Sequence, residues 1–375
     1  MNLLIVSHTE HYFQENKLVG WGPTVREINH LCTSYSKIYH IACLYENQSA
    51  PKSSLPYENQ NIKFVPIKPS GGKRLLQKVS ALKEVPYVIR KVEKYLNKVD
   101  AVQIRVPTGF ANYLLPWLSV KRPHVPVWVK YAGNWAQDHP PLGYQFQRWW
   151  LIQNYLKCKV TINGKWSEQP PHCISFENPC LDQEERQAGL QVLNTKQFEP
   201  PYRACFIGRI ESAKGVGRIL EAANELSRKG IKEINFIGEG PRLNHFIEES
   251  GKISSLAIHF YGALPRNEVA EVLKKSHFLL LPSTASEGFP KVIAEAWNYG
   301  VVPIVSNISA IPHYVSDSNG YLWKPGTGSF PEYLKKLDIT SEEYFSKARR
   351  GYQKANAFTF SHYANRIEKD IFKIR

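Results

Sequence analysis

Glu287 and Glu295 stand eight positions apart in the stretch Ser286-Glu287-Gly288-Phe289-Pro290-Lys291-Val292-Ile293-Ala294-Glu295-Ala296-Trp297. The apolar run Phe278 to Leu281 before it reads as a buried strand, 282–289 as a loop, and Pro290 as a first helical residue whose fixed φ is already suited to the helix. Gly300 supplies the stop. Glu287 then lies on the loop and Glu295 more than one helical turn further on, which separates the carboxylates by ~10 Å. Two carboxylates at that spacing suit hydroxyls at the two ends of a large polyhydroxylated ligand. The free N–H groups and positive dipole end of the helix favour an anion beside them. A nucleotide diphosphate-sugar combines both features. Taken alone, the pair is also compatible with the acid and base of a hydrolase, or with two solvated surface charges, which is the norm for glutamate.

A second cluster, Gly208-Arg209-Ile210-Glu211-Ser212-Ala213-Lys214-Gly215, falls where a strand ends and a helix begins. Cations at that point, Arg209 and Lys214, suit a leaving diphosphate, because they stabilise the charge that develops as its bond to the sugar breaks. Two exposed cations beside a turn are the plain alternative. The loop is not a Walker loop, since G-x-x-x-x-G-K-[ST] is absent, and Gly238-Glu239-Gly240 continues Pro241-Arg242-Leu243 instead of completing a dinucleotide-binding fingerprint.

The elements that must position these residues follow from periodicity. Strands are expected at 203–207, 233–237, 257–261, 278–281 and 301–305, with helices at 215–228, 242–249, 267–276 and 290–299. Such alternation implies a parallel sheet covered by helices, with the active crevice beyond the carboxyl ends of the strands. The first half carries strand signals at 3–7, 38–44, 101–105 and 127–131 and helical signals at 23–34 and 73–98. Periodicity lapses over 167–185, where Pro170, Pro171 and Pro179 fall, and the linker belongs near the end of that stretch. At 375 residues the chain is too long for one ordinary core. The expected organisation is therefore two Rossmann-like domains, 1–182 and 183–355, followed by a helical segment, 356–375, whose apolar positions Tyr363, Ile367, Ile371 and Phe372 give it a face to dock.

The apolar runs are far shorter than the roughly 20 residues of a membrane span. The start, Met1-Asn2-Leu3-Leu4-Ile5-Val6, reads as a buried strand in place of a signal peptide, so a cytoplasmic location is expected. The six cysteines show no CxxC or metal-ligand spacing and are expected to be reduced thiols. Of the formal net charge of +15, residues 1–180 contribute +11, from 22 Lys and Arg against 11 Asp and Glu, so the first half faces something acidic.

Glu287-x7-Glu295, preceded by Pro282-Ser283 and followed by Gly300-Val301-Val302-Pro303, resembles the signature of the retaining GT-B glycosyltransferases of family 4, or glycosyltransferase group 1. Phe206-Ile207-Gly208-Arg209 with Lys214-Gly215, Ile237-Gly238-Glu239-Gly240-Pro241, Phe260-Tyr261-Gly262 and Asn319-Gly320 extend the resemblance over roughly residues 203–325. The resemblance implies a GT-B fold, with two Rossmann-like domains facing a central cleft and the C-terminal helix packed back on the N-terminal domain. It implies that the first domain binds the acceptor and the second the nucleotide-sugar donor. By the same resemblance Glu287 contacts the transferred sugar, Glu295 the ribose hydroxyls, Arg209 and Lys214 the diphosphate, and Gly208, Gly288 and Phe289 the donor. Pro290 stands where many members have glycine, which removes one N–H donor. Gly20-Trp21-Gly22-Pro23 resembles the glycine loop that approaches the diphosphate, with Gly22 as the candidate contact. Asn134 stands near where many members carry a donor-contacting histidine, and is the one candidate for an acceptor contact.

Retention of configuration is expected to need no protein base, no metal and no cofactor, the donor being a substrate. The expected acceptor is a hydroxyl of a glycan or a lipid-linked carrier in cell-envelope polysaccharide or glycolipid synthesis. Segment 73–98, with eight Lys and Arg against two Glu, reads as two basic amphipathic helices around Pro86. These are either a solvated face of core-packed helices or a peripheral contact with anionic lipid on the inner face of the membrane. Trp135, Tyr144, Phe146, Trp149 and Trp150 are assigned mainly to core packing, with stacking on acceptor sugars as the other use. A sugar-nucleotide epimerase or phosphorylase on the same scaffold is the alternative. A basic nucleic-acid-binding protein is disfavoured, because the cations are not interleaved with any nucleic-acid motif.

Overall fold

The computed structural model describes residues 1–69 and 75–372. Of the basic segment 73–98, residues 73–74 and the side chains of 75–83 lie outside the described residues, as do positions 373–375 of the expected final helix. The chain divides into two compact units, Met1–Glu177 with Tyr363–Arg375, and Asn178–His362. The division thus falls a few residues before 182, and the return to the first unit comes at Tyr363 and not at 356. Cys180 and Leu181 pair through their N–H groups with the carbonyl of Phe358, which holds both stretches in the second unit.

The first unit is built on β1 (Asn2–Gln14), β2 (Lys17–Trp21), β3 (Lys37–Leu44), β4 (Ser54–Pro56), β5 (Ile62–Ile67), β6 (Ala101–Val106), β7 (Val127–Tyr131), β8 (Lys159–Ile162) and β9 (Cys173–Ser175). Seven of these run parallel in the order β5-β3-β1-β6-β7-β8-β9. β1 outruns the expected 3–7. Its far end forms an antiparallel hairpin with β2, turned by Glu15 and Asn16, both left-handed, the backbone that a two-residue hairpin loop requires. Fully buried Leu3, Leu4, Ile5 and Val6 explain the unbroken apolar run, since a strand covered on both faces has no polar side.

Helix Leu75–Leu96 is continuous through Pro86 and is not divided into two, because a proline removes one ladder hydrogen bond and leaves the others in place. Val88, Val92, Tyr95 and Leu96 face the core, and Arg90, Glu93 and Lys94 face solvent. The final segment does pack on the first unit: Tyr363 and Ile367 are buried with Leu3, Ile5, Trp128 and Phe176. It is anchored by a buried polar cluster, in which Glu27 accepts from Tyr363 Oη at 2.8 Å and from Lys130 Nζ at 2.7 Å and pairs with Arg105 at 2.8 Å. A carboxylate that is 2% exposed requires such partners.

The second unit carries β10 (Tyr202–Ile207), β11 (Ile231–Ile237), β12 (Ala257–Phe260), β13 (Phe278–Leu281), β14 (Val302–Ser306) and β15 (Tyr321–Trp323) in one parallel sheet of order β12-β11-β10-β13-β14-β15. The order reverses between β10 and β13. Such a reversal point, beyond the carboxyl ends of the strands, is where open α/β sheets bind ligands.

Candidate functional site

The loop after β10 contracts into a single 3₁₀ turn, Ser212–Lys214, and ends at Gly215, whose φ of +93° is left-handed. A Cβ at Gly215 would lie 2.3 Å from the carbonyl oxygen of Pro282, so only glycine lets this loop close on the one after β13. The two loops are then laced together. Thr284 N–H donates to Ala213 O at 2.7 Å, and Ser283 Oγ donates to the same carbonyl at 3.2 Å. The result is a 2.5 Å ion pair between Lys214 Nζ and Glu287 Oε1, both partly exposed, at the point where the strand order reverses. The loop after β14 contributes Ser309, whose Oγ accepts from Glu287 N–H at 3.4 Å.

Helix Lys291–Asn298 starts one residue later than expected. Pro290 is its N-cap, with an extended ψ of 116°, and not its first helical residue. Glu295, on the exposed side of this helix, accepts from Arg266 Nη1 at 2.7 Å. Arg266 opens the helix after β12, and also donates to Glu185 Oε1 at 2.6 Å and to the Cys180 carbonyl at 2.5 Å. Glu185 is fixed in turn by a capping box with Asp182, which holds its carboxylate to the start of helix Gln183–Thr195. Burial alone would lower the pKa of Arg266; Glu295 and Glu185 more than offset this and raise it, so the guanidinium is a permanent cation between two carboxylates.

The other expected residues are placed differently. Arg209 does not join Lys214 and Glu287 among the described contacts. It is largely exposed, lies 3.3 Å from Glu211, and lines an open depression of about 620 Å³ with Glu239, Gly240 and Pro241. Gly208 joins the ends of β10 and β11 through its N–H to Ile237 O at 2.9 Å. Phe289 turns its ring into the core, 4.6 Å from Tyr314 and 4.9 Å from Phe358 between centroids, which leaves only its backbone and that of the adjoining Gly288 on the loop. Gly22 begins helix Gly22–Leu31, where a Cβ would lie 2.2 Å from Ser53 O; the close approach that requires glycine here is to the chain's own backbone. Asn134 is buried, and its Oδ1 accepts from Ala136 N–H at 3.1 Å, a turn-capping bond. Among the described residues no group of three or more His, Cys, Asp or Glu is arranged to hold a metal ion, and no helix is long and apolar enough to cross a membrane.

Sequence reasoning missed Arg266, Glu185 and Ser309. Arg266 follows the edge strand β12 and meets Glu295 and Glu185 only in the folded chain, so no local signal marked it. The Asp182-x-x-Glu185 pattern marked the helix start.

Residues 194–354 match the family model described as glycosyl transferases group 1. The chain superposes over nearly its whole length on solved GT-B structures. The Anabaena Alr3699/HepE protein in complex with UDP is 13% identical, with a TM-score of 0.66 and 99% of each chain covered. The lipopolysaccharide outer core galactosyltransferase WaaB gives 17% identity, a TM-score of 0.66 and 99% of each chain. An uncharacterized 41.2 kDa protein in the cps region of Klebsiella pneumoniae is 22% identical over 256 residues, 64% of this chain and 68% of that protein. The fold is GT-B. Family match and fold together support a group 1 glycosyltransferase.

Proposed function

We infer that the protein is a retaining glycosyltransferase that moves a sugar from a nucleotide diphosphate-sugar to a hydroxyl of a glycan or lipid-linked acceptor in cell-envelope polysaccharide or glycolipid assembly. The observation that carries this reading is the Lys214–Glu287 pair, held at 2.5 Å by three strand-end loops at the reversal point of the second sheet. An ammonium has three donors. With one on Glu287, Lys214 has two for diphosphate oxygens, while the second oxygen of Glu287 accepts from a sugar hydroxyl. Glu295, steadied by Arg266, accepts from the ribose hydroxyls, and Arg209 meets the diphosphate when the donor is bound. The bond from the anomeric carbon to the phosphate oxygen breaks, the bond to the acceptor oxygen forms on the same face, and the acceptor proton passes to the departing phosphate. Lys214 stabilises the charge on that phosphate. This route uses no metal and no protein base.

The likeness to the lipopolysaccharide outer core galactosyltransferase WaaB and to a protein of a cps region supports the envelope assignment. The work is assigned to the cytoplasmic face of the membrane, with the basic helix Leu75–Leu96 presenting Arg90 and Lys94 outward. A thermal-shift panel of UDP-, GDP-, ADP- and dTDP-sugars, with and without a chelator, tests the reading. One nucleotide class should raise the melting temperature by mass action, equally with chelator present. The reading fails if no sugar nucleotide stabilises the folded protein. A donor converted to its epimer in the absence of any acceptor would assign epimerase chemistry instead.

A further inference from the structure

Arg218 lies in helix Val216–Glu221, just past the left-handed Gly215 that lets the loop after β10 close. It is half-buried, and its described partners are two carbonyls, a hydroxyl and an indole ring, with no carboxylate among them. Nη1 donates to the carbonyls of Ser212 and Pro282, each at 3.3 Å, and Nη2 donates to Thr284 Oγ1 at 3.4 Å. Ser212 belongs to the loop after β10, Pro282 and Thr284 to the loop after β13. Each bond is long, so the effect rests on number: one rigid, charged fork meets two loops at three points.

The Pro282 carbonyl shows what the contact is for. Pro282 is buried, and its carbonyl oxygen is the atom against which Gly215 closes. Among the described hydrogen bonds Arg218 is the one donor to that oxygen, and a buried carbonyl without a donor is destabilising. The loops so joined carry the ion pair, with Lys214 two residues after Ser212 and Glu287 three after Thr284. The third loop is reached as well. The guanidinium stands 5.8 Å from the centre of the Trp323 ring, and the Trp323 carbonyl accepts from Asn307 N–H, at the start of the loop whose Ser309 accepts from Glu287 N–H.

We propose that Arg218 is a positioning residue, which lashes the loops after β10 and β13 together and so fixes the distance and direction of Lys214 toward Glu287. It acts through Lys214 and not by contact with the donor. A lysine at 218 would keep the charge but not the planar fork that spans two carbonyls and a hydroxyl. The consequence for catalysis rests on the function proposed above, whereas the lashing does not.

Hydrogen–deuterium exchange of the full chain tests the lashing without turnover. In Arg218→Ala and in Arg218→Lys the amides of 211–217 and 282–288 should exchange about tenfold faster than in wild type, with the strands of the first unit unchanged. Steady-state kinetics tests the consequence. Arg218→Ala should lower kcat on the order of 10–100-fold with a smaller change in the donor KM, and Arg218→Lys should recover only part. Added to Lys214→Ala, Arg218→Ala should cost nothing further, because its effect passes through that side chain. Loop exchange at the wild-type rate in both variants overturns the proposal, whatever the protein turns over. Losses that multiply in the double variant also overturn it. Faster loop exchange in a protein whose wild type transfers no sugar upholds the lashing and counts against the proposed function instead.

Discussion

Lys214 Nζ and Glu287 Oε1 meet at 2.5 Å although 73 positions separate them, because Gly215 allows the loop after β10 to rest on the carbonyl of Pro282 in the loop after β13. In this arrangement the cation is positioned before any ligand arrives. Under the proposed function, a transition state that gains negative charge on phosphate would meet a group already oriented toward it. Lys214→Ala should lower kcat/KM on the order of 10²–10³-fold with the melting temperature nearly unchanged, since the pair is partly exposed. Steady-state kinetics beside a thermal melt checks this.

Arg266 is the counter-ion shared by Glu185 and Glu295. Removing it takes one charged donor from each carboxylate and from the Cys180 carbonyl. Arg266→Ala should cost about 1–3 kcal/mol of stability and raise the donor KM through Glu295. Arg266→Lys should restore only part, because an ammonium lacks the planar fork that spans both carboxylates. Urea denaturation of the three proteins decides it.

Stability should depend on pH through His277. Its Nδ1 accepts from Arg203 N–H at 3.0 Å, and its Nε2 donates to the Gln197 carbonyl at 3.1 Å, an arrangement that needs the neutral ring. Burial, with Lys196 and Arg203 nearby, moves its pKa from 6.5 down to about 4. The unfolded chain therefore binds the proton more readily than the folded one. The stabilisation is fully present above pH 6.5 and is lost as pH falls toward about 4. His11 in the first unit, pushed to about 4 mainly by burial, acts in the same direction. Denaturant midpoints measured across this window should fall with pH, and His277→Asn should flatten the dependence.

Phe289 separates packing from binding. Its ring sits among Tyr314, Phe358 and Trp297. Phe289→Ala should cost about 3–5 kcal/mol, the range for truncating a core phenylalanine. Phe289→Leu should leave the donor KM within about threefold of wild type, because only its backbone adjoins the loop. A large KM change in a stable Phe289→Leu protein would assign the ring to the site.

What was legible in the chain was what local periodicity and spacing encode. The six-stranded sheet of the second unit announced itself in the alternation of apolar runs and amphipathic stretches, all but the short Tyr321–Trp323. The loop and helix carrying Glu287 and Glu295 were read within a residue. Contacts between distant segments were not readable. Arg266 reaches Glu185 across 81 positions and Glu295 across 29, and no local pattern marks it as their partner. Arg209 illustrates the converse. Its place beside Gly208 suggested a pairing with Lys214, whereas its guanidinium lies beside Glu211 and over a different depression. At Gly22 the sequence showed that a backbone must come close but not that Ser53 would be one such neighbour.

The most direct test of the account is sugar transfer followed by mass spectrometry, with the stabilising sugar nucleotide as donor and an envelope-glycan or lipid-linked acceptor, for wild type, Lys214→Ala and Glu287→Ala. Wild type alone should yield a product one sugar heavier, with the anomeric configuration of the donor retained, while both variants stay folded and make little or none. Full transfer by either folded variant, or a product of inverted configuration, would contradict it.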